Sequence, residues 1–495
     1  MENKFNLVDE PWIPVVGKGL VSLSDVFSDH SIKALGGNPV QKIALTKLLL
    51  AIAQTAYTSK DDDDWKQLSA KGLAKIAYEY LQKKKDLFWL YGDKPFLQMP
   101  DIAKAEKQNI GALQYFVATG NTTVLTQYQN EKVLSDAEKS LLVVQMMGFS
   151  LGGKKTDNSA VLSHGYNGKK NEKGKPSTGK YGPSIGFLGF LHSFLQGKSL
   201  QETIWLNLIT KEDISNIKIF SEGIGEVPWE KMPKGEDCPV ARKLKNSYIG
   251  RLIPLSRFLL LSENEIHYSE GIAHSGYADG MADLSIAVDF SAKKPKVIWV
   301  NPEKRPWREL PALLSFFESG NKYECKQLDL GITRAMRFRV QNFGVWAGGL
   351  KVSNNAGEQY VSGKDDFVES EMILNTIAIS KGFWFPRLKN EMNELDMLSK
   401  IAYRSTLSYF KAQNSSSKKT ASQASNLFWQ LCERHFQDLV NACDAEDKGV
   451  EVKELRRVFA GVVNKAYNTY CSKSTARQLD AWSANQPNLT KYLAQ

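Results

Sequence analysis

No run in this chain approaches the ~18 consecutive apolar residues that a membrane-spanning helix needs. Its start, MENKFNLVDEPW, also lacks a positive segment followed by an apolar stretch. A cytoplasmic protein with no membrane partner is the expectation. Cysteine is scarce and odd in number: Cys238, Cys325, Cys432, Cys443 and Cys471, without a CxxC pair. That pattern excludes a disulfide framework, offers no zinc-ligand spacing, and fits free, mostly buried thiols in a reducing compartment. The six histidines form no ligand pair at helical spacing, so neither a metal nor a cofactor is implied.

What the chain has is core material and a modest positive excess. At 495 residues, with 42% hydrophobic and 11% aromatic residues, it exceeds the size at which one core keeps growing, so two or more packing units are expected. Lys and Arg outnumber Asp and Glu by 64 to 54, a net charge of +10 that favours polyanionic partners. The fold class expected is α+β. Residues 1–365 mix short helical patterns with strand-like runs such as Lys296–Val300 and Arg337–Val340, and residues 366–495 read as a helical bundle. In that bundle one helix carries Leu388, Met392, Leu395, Leu398, Ala402 and Tyr409, and a second carries Phe428, Leu431, Leu439 and Ala442. A third carries Val452, Leu455, Phe459, Val462 and Ala466, again at three- and four-residue steps. His435, on the second stripe, reads as a core histidine, and Asp61 to Asp64 read as dipole partners at a helix start.

Several loops suit nucleic acid. Between Leu151 and Lys180 lie seven lysines against two acidic residues, with glycines throughout, which predicts a long cationic loop. Glycine lets backbone approach a groove closely, and Lys154 and Lys155 beside Gly152 and Gly153 would contact phosphates. For Asn167 to Thr178 the bland alternative is a disordered surface insertion. A second segment, GGLKVSNNAGEQYVSG at 348–363, predicts a projecting β-hairpin whose tip carries Asn354, Asn355 and Gln359. Those amides could bond base edges or wedge into a base stack. Lys293, Lys294 and Lys296 form a further basic cluster, as do Arg334, Arg337 and Arg339, spaced partly as on one strand face.

Two enzyme motifs overlap at Gly148. Gly148-Phe149-Ser150-Leu151-Gly152 fits G-x-S-x-G, and Gly148 to Lys154 fits part of a phosphate-binding loop. Either needs a strand before it, whereas Ser135 with Glu138 makes a capping box that opens a helix running into these glycines. Lys155 stands where a phosphate-binding loop needs Ser or Thr, so no catalytic residue is expected.

The opening Phe5-Asn6-Leu7-Val8-Asp9-Glu10-Pro11-Trp12-Ile13-Pro14-Val15 closely resembles the N-terminal signature of the CasA family, the large subunit of the type I-E CRISPR Cascade complex. Lys94-Pro95-Phe96-Leu97-Gln98, Leu151-Gly152-Gly153-Lys154 and Pro306-Trp307-Arg308 follow in the family's order, so the resemblance spans essentially the whole chain. It implies a non-catalytic subunit that inspects the motif flanking a double-stranded DNA target, helps open the strands and supports recruitment of a helicase-nuclease. Its partners would be the crRNA and the backbone, small and 5′-handle-binding subunits. By resemblance, Gly152 and Gly153 belong to the loop against the flanking motif, and Asn354, Asn355 and Gln359 to the strand-separating wedge. Asn121, Thr122 and Thr123 resemble the loop that docks near the guide RNA. The alternative is a stand-alone basic RNA- or DNA-binding protein.

Overall fold

The computed structural model describes residues 2–113, 133–150, 189–272, 274, 283–291, 293–320, 322–352, 361, 366–415, 417–445 and 450–494. They form an α+β protein in two compact units. The first comprises Met1–Pro306, Ala312–Phe338 and Phe343–Ser370; the second comprises Trp307–Pro311, Arg339–Asn342 and Glu371–Gln495. No described helix is long and apolar enough to cross a membrane.

The N-terminal signature has a packing role. Asn6 accepts from the Val8 amide at 3.0 Å and donates to the Lys85 carbonyl at 3.1 Å, while the Trp12 indole donates to the Leu7 carbonyl at 3.0 Å. Trp12, Leu7 and Val8 are fully buried while Asp9, Glu10 and Pro11 are exposed, so the two ends of the turn Asn6 to Trp12 plug the core and its hydrogen bonds fix it there. Strand Lys4–Asn6 pairs with Trp89–Tyr91, and Ile13–Val15 pairs with Gly19–Val21. The Phe96-Leu97-Gln98 motif acts similarly. Phe96 stacks on Phe88 at 4.9 Å, and Gln98 donates to the Leu90 carbonyl at 2.6 Å while accepting from the Leu261 amide at 2.9 Å. Gln98→Ala should therefore strand two buried backbone groups and destabilise the first unit by about 2 kcal/mol in denaturant titration; an unchanged midpoint would deny Gln98 that bridging role.

Helix Pro39–Ala56 begins with an Asn38–Gln41 capping box and Pro39 in its first turn. Ile43, Leu45, Leu48, Leu49, Leu50 and Ile52 surround its axis and are all buried, as expected of a helix that is apolar all round and runs through a core. Lys47 is the one charge in its middle, and it is 3% exposed.

Among the described residues the remaining strands form three short three-stranded sheets. Asn342–Leu350 lies between Phe367–Asn375 and His192–Gln196; Glu265–Glu270 lies between Lys107–Asn109 and Arg257–Ser262; Val288–Asp289 lies between Lys296–Val297 and Tyr323–Glu324.

Several expectations need correction. The run Lys296–Val300 is strand only at Lys296–Val297. The segment expected as a strand from Arg337 is instead the end of helix Lys326–Arg337, whose buried Leu328, Ile332 and Ala335 recur at helical steps. Arg334 and Arg337 thus sit three residues apart on one helix face. Arg334 is buried and bonds Asp62 at 2.6 Å and Asp213, and Arg337 reaches Asp62 at 3.1 Å and Asp63 at 3.2 Å. These arginines serve internal ion pairs with the acids at the start of helix Asp62–Lys83, whose cap Asp61 accepts from the Asp64 amide. That helix breaks at Ser69, with φ +55°, where the hydroxyl recaps the chain by accepting from the Gly72 amide.

In the second unit, helix Trp384–Ala412 buries the full stripe from Leu388 to Tyr409, and helix Val450–Tyr470 buries Val452, Phe459, Val462 and Ala466, with Leu455 half-buried. The second stripe is divided between Lys418–Glu433 and Phe436–Ala442. The helix stops at Arg434, so His435 is 38% exposed at the junction and edge-on to Phe459, rather than in the core. Arg456 lies on the third stripe and is nonetheless buried, because it grips Glu391 with two nitrogens, one at 3.0 Å. Segment 307–311 packs here too: Trp307 meets Phe436 at 4.5 Å, and the Arg308 guanidinium lies 3.7 Å over Trp429. Four cysteines are buried, Cys238 is half-buried, and all five are free.

Candidate nucleic-acid interface

The three loops singled out by sequence lie outside the described residues. This applies to Gly152, Gly153, Lys154 and Lys155, to Asn354, Asn355 and Gln359, and to Asn121, Thr122 and Thr123. The described residues show where each segment is rooted.

Helix Asp136–Met146 carries the Ser135–Glu138 capping box and runs into Gly148, Phe149 and Ser150. Ser150 is only 3% exposed, a poor position for a nucleophile. The chain is described again from Gly189, whose φ of +65° suits glycine. A Cβ on Gly189 would lie 3.1 Å from the Val352 methyl and 3.3 Å from the Leu350 carbonyl oxygen. The strands that follow and precede these positions pair antiparallel, with His192 opposite Gly348. The return of the glycine–lysine segment and the departure of the hairpin segment therefore share one end of one sheet. The hairpin segment closes locally, since the Lys351 amide donates to the Asp366 carbonyl at 2.8 Å.

The third segment leaves after Leu113, beyond strand Lys107–Asn109, and returns at Val133. Helix Asp136–Met146, about 16 Å long at 1.5 Å per residue, separates that return from Ser150 in the chain.

Beneath the shared roots lies a buried ionic cluster that sequence reasoning missed. Lys47 pairs with Asp283 and donates to the Arg251 carbonyl at 3.1 Å. Asp283 accepts from the Ser285 amide at 3.0 Å and its hydroxyl at 2.8 Å, and Ser285 in turn meets His192 Nδ1 at 2.8 Å. With its own hydrogen on Asp283, the Ser285 oxygen accepts from His192 Nδ1–H, which leaves Nε2 bare and buried without a partner among the described residues. Phe149 stands edge-on to His192 at 5.8 Å and beneath the Lys47 ammonium. On the other side, Arg251 donates to His274 Nδ1 at 3.1 Å, and His274 Nε2 donates to the Pro254 carbonyl at 2.6 Å.

Burial dominates the titration here. It holds both histidines neutral, pushed down to about 3, with Arg251 adding to the effect at His274. At Asp283 burial acts in the opposite sense, yet the Lys47 ammonium outweighs it and keeps the carboxyl well below the usual range. The only signals in the sequence were Lys47 inside an apolar helix and the Asp283-x-Ser285 turn, neither of which names the partner. Among the described residues no three His, Cys, Asp or Glu side chains converge to hold a metal ion. Lys293, Lys294 and Lys296 are all exposed, near the short sheet of Val288–Asp289.

Comparisons with known proteins agree on one family. The sequence profile of the CRISPR-associated protein Cse1 family matches residues 6–466. A curated CasA/Cse1 protein of Thermus thermophilus is 27% identical over 336 residues, covering 63% of this chain and 60% of that relative's length. The crystal structure of Thermobifida fusca Cse1 has the same fold, with a TM-score of 0.76 at 16% identity over 99% of this chain and 98% of that one. A chain of a solved CRISPR RNA-guided surveillance complex superposes with a TM-score of 0.69 at 14% identity over 100% of both chains. With the profile spanning nearly the whole sequence, this chain belongs to the CRISPR-associated protein Cse1 family.

Proposed function

We propose that this chain is the non-catalytic large subunit of a Cascade-type CRISPR surveillance complex in the cytoplasm. In that role it reads the motif flanking a double-stranded DNA target, promotes strand separation and supports recruitment of a helicase-nuclease. Its other partners are the crRNA and the backbone, small and 5′-handle-binding subunits. Family membership over residues 6–466 carries the reading. The shared rooting of the glycine–lysine and hairpin segments supports it, because reading a flank and opening the adjacent base pairs must happen side by side.

The division of labour follows from groove chemistry. The minor groove presents a degenerate pattern, so a backbone-rich loop around Gly152 and Gly153 accepts several related flanks, while guide pairing supplies the sequence. Lys154 and Lys155 add phosphate contacts, Asn354, Asn355 and Gln359 act as the wedge, and Asn121, Thr122 and Thr123 dock near the guide. Permanganate probing of unpaired thymines next to the flank tests the strand-opening role: reactivity should appear only when the complex contains this chain. Equal reactivity without it would remove that role. Gly153→Asp would set a carboxylate against phosphates and should weaken target binding by about 1–3 kcal/mol; unchanged affinity in the assembled complex would move the contact elsewhere.

A further inference from the structure

The second unit contains a cavity of about 280 Å³ between helix Trp384–Ala412 and the segment 488–492. Met397, Leu398 and Ile401 line its apolar side, and Glu394 and Tyr492 supply buried polar groups. Glu394 is 8% exposed and has no hydrogen bond or ion pair among the described residues, and the Tyr492 hydroxyl is buried with no partner. The nearest buried cation, Arg456, bonds Glu391 with two nitrogens and acts on Glu394 only through space. Two carboxylates beside one guanidinium leave Glu394 without a bonded counter-ion, its carboxylate facing the cavity. Lys491, at the cavity's edge, is exposed to water.

A carboxylate without a bonded counter-ion is costly to bury, and burial raises the Glu394 carboxyl above its ordinary value while Arg456 opposes the rise through space. A cation that entered the cavity would remove that penalty, and an apolar stem behind it would cover Met397, Leu398 and Ile401. The volume admits a small ligand, and the Glu394 carboxylate on its wall disfavours an anion such as a nucleotide.

We propose that this cavity binds an alkylammonium or guanidinium cation carried on a short apolar stem, with Glu394 as counter-ion and the Tyr492 hydroxyl as a hydrogen-bond acceptor. Two sources share that chemistry: a free polyamine, or a lysine or arginine side chain of a partner subunit.

Agmatine, a guanidinium on a four-carbon stem, is the probe, titrated calorimetrically into the full chain. One saturable site is expected, weakened at least tenfold, roughly 1.4 kcal/mol, by Glu394→Gln. Absence of saturation up to about 10 mM, or equal binding by E394Q, overturns the proposal. Should E394Q not fold, Met397→Trp fills the cavity from its half-open wall and leaves Glu394 in place; retained binding by M397W overturns the proposal equally. Repeating the titration on the assembled complex separates the sources. Binding that survives assembly assigns the free amine, binding abolished by assembly assigns a partner side chain, and both uphold the cation site.

Discussion

Lys47→Met should destabilise the first unit by about 3–5 kcal/mol, the cost of leaving one partner of a buried ion pair uncompensated. The side chain is nearly isosteric and suits the apolar helix Pro39–Ala56, so the loss would not come from packing. It would come from Asp283, which keeps its Ser285 hydrogen bonds but loses its ammonium partner, and from the Arg251 carbonyl, which loses the Lys47 ammonium. Adding Asp283→Asn removes the orphaned charge and should recover most of the loss. Denaturant titration of the single and double variants reads this directly. Equal destabilisation in both would show that the pair contributes through shape rather than charge.

Acid should weaken the same unit well before its carboxylates protonate. His192 and His274 are held neutral with folded values of about 3, far below the ~6.5 of an unfolded histidine. Below pH ~6.5 the unfolded chain therefore takes up protons that the folded chain refuses, and stability falls until both states are protonated near pH 3. At pH 5 each histidine should contribute a loss of about 2 kcal/mol relative to neutral pH, about 4 kcal/mol for the two. Asp283 acts in a separate window. Its depressed value gives stability that is present above about pH 3.9 and disappears only as pH falls further. His192→Gln should halve the slope between pH 6.5 and 5, and a stability curve flat across that range would contradict the neutral, buried state of the pair.

The second unit was the most legible part of the sequence. Its stripes recur at three- and four-residue steps over long helices, so Leu388 to Tyr409 and Val452 to Ala466 identify their own buried faces. The stop at Arg434 was not legible, since the stripe continues in phase across it while the backbone does not. Strands of two or three residues, such as Lys296–Val297, show too few alternations to separate from loop, and Arg337 to Arg339 imitates a strand face while sitting at a helix end. The ionic cluster was illegible because Lys47 and Asp283 lie 236 residues apart and only tertiary packing joins them. The family signature was plain in residues Phe5 to Val15, and most of it packs into the core around Trp12, with Asp9, Glu10 and Pro11 exposed. The candidate loops were chosen from their glycine, lysine and amide content, and what the fold adds is the common rooting of two of them at Gly189 and Val352.

The most direct test of the proposed role is a binding titration of the guide-loaded complex, with and without this chain, on duplex targets that differ only in their flanking bases. Discrimination between flanks should appear only when the chain is present and should diminish with Gly153→Asp. Flank discrimination of equal strength in its absence would contradict the assignment of flanking-motif recognition to this subunit.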